Sequence, residues 1–488
     1  MTRLPDKGKS VPAAVTSASR AAAIGRAVAY ADSGALQRDL TELVAHRTES
    51  QNPDQRAALY DYLRAAVAPR LEALGCSWRV EDNPVAGGPP FLLAERIEAP
   101  ALPAVLMYAH GDVVRGYDEQ WRAGLAPWRL TAEGDRWYGR GAADNKGQYC
   151  VNMTALEQVR AERGGRLGFN LRMLVECGEE VGSPGLHQAC AAWRDALAAD
   201  VFIASDGPRL AADLPTLFLG SRGTLLFDLT VELRGHAHHS GNWGGVLPNP
   251  GLILAHALAS LVDARGRLLV DGLRPPAIPP AVRQALTDIQ VGQDDDAPEI
   301  DPDWGEPGLS LAERLFGWNT LEVLAYKTGN PDNPVGAIPP RASATCNLRF
   351  VVGTDWRQAE GILRQHLDAQ GLRQVQVRVR RGTPATRLDP DDPWARWAVA
   401  SLAATTGKTP ALLPNLGGTV PNDAFSEVLG LPTIWVPHSY PACCQHGPDE
   451  HLLASVAREG AAVMAGLFWD LGEQGAAVAA QRERLTAT

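Results

Sequence analysis

Apolar positions recur at helical spacing between Ser33 and His46, where Leu36, Leu40, Leu43 and Val44 fall on one face, and a second helix is expected from about Gln55 to Leu74. Two strand-like stretches follow, SWRVEDN and PFLLAERIE, and then a short apolar run from Val105 to Tyr108 with the length of a buried strand. After Asp144 the stretch NKGQYCVNMTALEQVRAE reads as a helix. The runs at 171–176 (LRMLVE) and 201–205 (VFIAS) read as further buried strands. Strand alternating with helix is the signature of an α/β domain with a mostly parallel sheet flanked by helices.

From Gly220 the pattern changes. Phe227, Leu229, Val231 and Leu233 alternate with Asp228, Thr230 and Glu232, which marks a strand with one wet face. A helix opening at Pro250, the strands TLEVLAY and ATCNLRFVV, a helix from Trp356 to Gln370 and the strand VQVRVRR complete a ferredoxin-like βαββαβ unit, an α+β insertion. The Pro- and Asp-rich stretch from about 271 to 310 reads as irregular. The chain then returns to the first domain, with a helix in DPWARWAVASLAATTG and a buried strand in LPTIWVPHS (431–439). The expected organisation is a catalytic domain in two parts, 1–219 and 383–488, around an insertion at 220–382, with the substrate in the cleft between them.

Composition narrows the function classes. A chain of 488 residues exceeds one ordinary core, and 45% hydrophobic with 21% charged residues is a folded, water-exposed balance. Lys and Arg number 46 against 56 Asp and Glu, a net charge of −10 without a long basic run, so nucleic acid and anionic membrane surfaces are not expected partners. No stretch of about 18 apolar residues occurs, which argues against a transmembrane helix. The first thirty residues scatter Asp6, Lys7, Lys9, Ser17 and Arg20 through an alanine-rich stretch, which does not read as a signal peptide. Seven cysteines, an odd number with no metal-finger spacing, read as reduced thiols of a cytoplasmic protein.

The chemistry gathers at strand ends. His110 and Asp112 sit two apart as the run from Val105 ends, facing the same way in an extended segment. A neutral imidazole is a good metal ligand and a neighbouring carboxylate fixes its tautomer. Gly139, Gly141 and Gly147 surround Asp144; Glu179 and Glu180 follow the strand at 171–176; Asp206 follows the strand at 201–205; His446 lies in the loop after 431–439. In open α/β sheets ligands collect outside the carboxyl ends of strands. A lone Asp before Gly-Pro is an ordinary turn residue and a pair of glutamates an ordinary solvated loop. It is their coincidence at four strand ends that indicates a metal site.

Taken together, His110-Gly-Asp112, the Gly139–Gly147 loop, Gly178-Glu179-Glu180, Ser205-Asp206 and His446-Gly-Pro-Asp-Glu450 resemble the M20 family of di-zinc peptidases and amidohydrolases over about residues 35 to 470. The resemblance implies that Asp144 bridges two metal ions, with His110 and Asp206 completing one coordination sphere and Glu180 and His446 the other. It implies Asp112 as the group orienting His110, and Glu179 as general base acting on a metal-activated water. It makes the insertion a lid and homodimerisation domain in which His239 reaches a substrate carbonyl, in its own or the partner's cleft. Arg349 and the Gly417–Pro421 segment, with Gly418 and Thr419, resemble the parts that hold the substrate's carboxylate end. Two divalent ions are implied, zinc by family expectation, although the same N and O donors accept manganese or cobalt.

Two positions depart from the family pattern. Asn145 stands where a second Asp is common, and the acid at 206 is Asp rather than Glu, which tilts the expected substrate toward a dipeptide-like amide. The resulting expectation is a dinuclear metallohydrolase cleaving the amide bond of a small dipeptide or N-acyl amino acid. The alternatives are hydrolysis or deamination of a non-peptide amide or aryl amine on the same scaffold, and a non-catalytic metal-binding protein.

Overall fold

The computed structural model describes residues 18–292 and 297–486. Its largest element is an eight-stranded sheet in the order Ser77–Glu81, Phe91–Arg96, Asn170–Glu176, Ala104–His110, Val201–Ala204, Thr433–Trp435, Thr216–Phe218, Ala411–Leu413. The four central strands run parallel, and antiparallel pairing begins on either side of them. Both faces are covered, so a central strand reads as a near-continuous apolar run. In Ala104–His110 this is literal: Val105, Met107 and Ala109 enter the hydrophobic cluster on one face, Leu106 and Tyr108 the cluster on the other.

Helices Arg20–Asp32, Lys146–Glu162, Pro393–Thr406 and Ala454–Thr486 pack together on the first of those faces. The N-terminal helix is held there partly by Arg20, whose Nε donates to Asp470 Oδ1 at 2.9 Å and whose Nη2 donates to Thr405 Oγ1 at 2.7 Å. Alanines Ala23 and Ala27 give this helix its close-packed face, a signal weaker than a leucine stripe.

The second sheet has four antiparallel strands in the order Thr320–Thr328, Arg341–Phe350, Gly223–Glu232, Val375–Thr383. With helices Pro250–Leu261 and Ala359–Ala369 this is the expected βαββαβ arrangement. The alternation holds residue by residue, since Phe227, Leu229 and Val231 are buried beneath those helices while Asp228, Thr230 and Glu232 are not. Within the expected insertion, one segment does not join the small sheet. Ile278, Val282, Leu286, Ala312 and Phe316 pack into the cluster beneath the large sheet, alongside Leu413, Leu416 and Trp435. Nor is the stretch from 271 to 310 wholly irregular, for Pro280–Leu286 is helical. Proline at the first helical position explains why a Pro-rich stretch can open a helix.

Among the described residues no helix is long and apolar enough to cross a membrane. All seven cysteines are free, and six of them are buried.

Candidate metal centre

The central strands end on one rim, and their registers decide what meets there. His110 is the last residue of its strand and stands opposite Glu176, the last of its parallel neighbour. Glu179 and Glu180 follow immediately in a single 3-10 turn, and Asp206 lies two residues beyond the strand Val201–Ala204. Asp144 arrives from the loop that starts the helix Lys146–Glu162. That loop is tight: Gly141 has φ +85°, and a Cβ on Gly147 would stand 1.9 Å from the Ala142 carbonyl oxygen. Only glycine fits either place.

Asp144 stands between two imidazoles. Its Oδ1 lies 3.0 Å from His110 Nε2 and its Oδ2 2.9 Å from His446 Nε2. Asp206 Oδ2 is 3.5 Å from His110 Nε2, and Glu180 Oε2 is 3.1 Å from His446 Nε2. Two three-residue clusters result, His110–Asp144–Asp206 and Asp144–Glu180–His446, each with its ligand atoms within 4.8 Å of one another and both sharing Asp144. One imidazole and two carboxylates is a donor set that suits a divalent transition ion. Glu180 Oε1 is buried without a hydrogen-bond partner, a position that a polar group tolerates poorly unless a cation faces it. The residues present therefore fit a pair of ions.

The electrostatics point the same way. Burial, reinforced by Asp144, pushes the Glu180 carboxyl up to about 7 and that of Asp206 up to about 6. Burial likewise pushes Glu179 well above the usual carboxylate range, with Asp206 and Glu180 adding to it. Hydrogen bonds to Asp144 and Glu180 raise His446 to about 11. Burial alone would lower His110, but its bonds to Asp112 and Asp144 outweigh that and raise it well above its ordinary value. So many acids in so little water hold protons that cations would displace.

The shell around the cluster is built from distant residues. His110 Nδ1 lies 3.1 Å from the Asp112 backbone oxygen and 3.4 Å from its Oδ1. Glu450 is the group that sequence reasoning passed over, although it closes the His446–Glu450 motif. Its buried carboxylate accepts from Arg140 Nη1 at 2.8 Å and from the N–H groups of Gly141, Ala143 and Asp144 at 3.0, 2.9 and 3.0 Å, so one side chain fixes the loop that delivers Asp144. Asn145 donates to the Ser205 carbonyl at 2.8 Å, joining that loop to the strand end before Asp206. His446 itself has φ +62°, and Cys444 and Asp449 are also left-handed. Non-glycine residues in that region mark a loop held in shape against local preference. His438 and His451 are buried and engaged elsewhere, His438 with Asn152 and Ser205, and His451 with Tyr440.

The remaining predicted residues divide. Gly418 and Thr419 line a cavity of about 710 Å³ that opens from Asp144, Glu179, Asp206 and His446. Arg349 Nη1 donates to Thr419 Oγ1 at 2.7 Å, and Thr419 donates to the Arg222 carbonyl at 2.8 Å. Arg222 is a second guanidinium that the sequence did not single out. Burial, with Arg349 nearby, lowers it to about 10, and its Nη1 is buried and unpartnered. His239 is not brought to this cluster. It is exposed in the small-sheet unit, where its Nδ1 accepts from the Gly241 N–H at 3.1 Å.

Comparison with known proteins shows the family of the chain. Residues 106–470 match the model of peptidase family M20/M25/M40. A cysteinylglycine-S-conjugate dipeptidase of Corynebacterium striatum is 26% identical over 398 residues, covering 78% of this chain and 83% of that protein. A Beta-Ala-His dipeptidase of Rattus norvegicus is 32% identical over 348 residues, 68% of this chain and 70% of that one. The solved structure of human carnosine dipeptidase 1 superposes with a TM-score of 0.74 at 24% identity, over 92% of this chain and 99% of that chain. With 365 consecutive residues spanned by the family match and the strand-end cluster inside it, the chain belongs to peptidase family M20/M25/M40.

Proposed function

We propose that this chain is a dinuclear metal-dependent hydrolase that cleaves the amide bond of a small dipeptide-like substrate. The observation that carries this reading is the double cluster sharing Asp144, with the half-buried Glu179 in the wall of the same cavity. In this reading His110 and Asp206 hold one divalent ion, Glu180 and His446 the other, and Asp144 both. Zinc is the ion we favour, with manganese or cobalt also suited to these donors. When bound, such a pair supplies a water of lowered pKa and polarises the carbonyl oxygen.

The chain's own residues supply the rest. Glu179, half-buried in the wall of the cavity that Asp144, Asp206 and His446 also line, takes a proton from the attacking water and passes it to the leaving amine nitrogen. Asp112 keeps His110 in the tautomer that leaves Nε2 free for the ion. Arg349 and Thr419, with Arg222 beside them, receive the substrate's carboxylate end, a reading supported by the buried Arg222 Nη1, which has no hydrogen-bond partner. The unit at 220–382 serves as lid and dimerisation element between the catalytic parts at 1–219 and 383–488. Its edge strand Thr320–Thr328 exposes Val323, Leu324 and Tyr326, which favours pairing with a second copy and would let His239 act in the partner's cleft. The seven free thiols fit a cytoplasmic enzyme.

The test is hydrolysis of a dipeptide panel, followed by amine release, before and after chelation and after zinc is restored. Turnover lost on chelation and regained with metal is the expected result. Turnover indifferent to chelation, or none on any amide, would overturn the reading.

A further inference from the structure

The cavity beside the carboxylates is more apolar than cleaving an amide requires. Its volume of about 710 Å³ lies in the range that encloses a whole small molecule. Besides the acids its wall carries Leu210, Ile300, Leu315, Phe316, Leu416 and Val420. Phe316, Leu416 and Val420 are buried members of the hydrophobic cluster beneath the large sheet, and Leu210 and Leu315 pack against it, so this wall is the exposed end of a core. Part of it comes from the 278–318 segment that leaves the small sheet to pack there.

Among the described lining residues the charged ones are Asp144, Glu179, Asp206 and His446 at the rim, and Arg209. Arg209 is spoken for: Nη1 pairs with Glu459 and donates to the Ala212 carbonyl at 3.2 Å, and Nε donates to the Pro437 carbonyl at 3.2 Å. Away from the acids and His446, a charged side chain placed against this wall would lose its water and meet no free counter-charge among the described lining residues. An apolar one would be removed from water at no such cost.

Resting on the dipeptide-like reading above, we infer that the substrate carries a bulky uncharged apolar group, branched aliphatic or aromatic, seated against Leu315, Phe316, Leu416 and Val420. The preferred amides are therefore those of leucine- or phenylalanine-type residues.

Two series of dipeptides, X-Gly and Gly-X with X as Gly, Leu, Phe, Asp or Lys, test this on the metal-loaded enzyme. In one of the two series Leu or Phe should exceed Gly, Asp and Lys in kcat/KM by about 10- to 200-fold, the discrimination an apolar pocket achieves. Leu315→Asp should shrink the Leu-over-Gly ratio at least about fivefold. Val420→Ala, a milder change, should shrink it in the same direction. Equal rates across X, or preference for Asp or Lys, would overturn the inference while leaving the hydrolase reading intact. If no peptide is cleaved, that reading fails, and calorimetric binding of the same peptides to metal-loaded Glu179→Gln decides the pocket. Tighter binding of Leu and Phe peptides sustains it, and equal binding overturns it.

Discussion

Asp112 ties two strand ends together: its Oδ2 accepts the backbone N–H of Glu180 at 3.1 Å. The other carboxylate oxygen accepts the Glu179 N–H at 3.2 Å and lies beside His110 Nδ1. One fully buried acid thus orients a ligand of one cluster and the turn that carries a ligand of the other. Asp112→Ala should lower the affinity for metal by about 10- to 100-fold at both positions, the usual cost of losing a group behind a ligand. Competition with a chromogenic chelator measures it, and an effect confined to one ion would show that the shared anchoring is unimportant.

Glu450 acts on the same centre through the backbone. Removing its carboxylate leaves Arg140, itself fully buried, without its ion pair, and three N–H groups without an acceptor. Glu450→Ala should cost about 3–5 kcal/mol of folding stability, as breaking a buried pair does. Glu450→Gln, which keeps an acceptor oxygen, should cost less. Chemical denaturation of both variants checks the order.

Glu179 makes no contribution to either three-residue cluster. Glu179→Gln should therefore keep its metal near the wild-type content while kcat falls by about 10²–10⁴-fold, the range attributed to general acid–base catalysis. Metal analysis beside steady-state kinetics checks both halves. Loss of metal in this variant would mean that base and ligand had been exchanged.

The pH dependence has a definite sign. A cation requires Glu180, Asp206 and His446 all unprotonated, whereas the apo protein holds protons on them up to about 7, 6 and 11. Uptake therefore releases protons, and affinity should climb from about pH 6 to about pH 11, the span of those values. For the apo fold the two acids bind protons more tightly than in the unfolded chain, so stability from their protonation is lost as pH rises from their ordinary values of 3.8 and 4.5 toward about 6 and 7. His446, raised likewise, contributes stability that is full below 6.5 and is lost as pH rises from there through about 11. Calorimetry in buffers of differing ionisation enthalpy should report net proton release at pH 7. Affinity that is flat with pH would contradict the assignment.

Much of this was legible before the coordinates. Apolar runs with polar residues gathered at their ends identified the central strands, because a strand buried on both faces carries few polar residues along its length. The period-2 alternation around Phe227 identified the small sheet for the complementary reason. What stayed hidden depends on contacts between remote residues. Glu450 reaches Asp144 across 306 positions, and nothing local distinguishes it from a surface glutamate. Arg222 gains meaning only where Arg349 packs beside it. The stretch from about 271 to 310 reads as irregular by composition, and only the packing of Ile278, Val282, Leu286, Ala312 and Phe316 under the large sheet shows that this part of the chain helps to build a wall of the cavity.

Metal content after reconstitution and desalting tests the central claim most directly. Two equivalents of zinc per chain are expected for the wild type, about one for Glu180→Ala, and close to none for Asp144→Ala, because Asp144 belongs to both clusters. One equivalent or less in the wild type, or two retained without Asp144, would contradict the account.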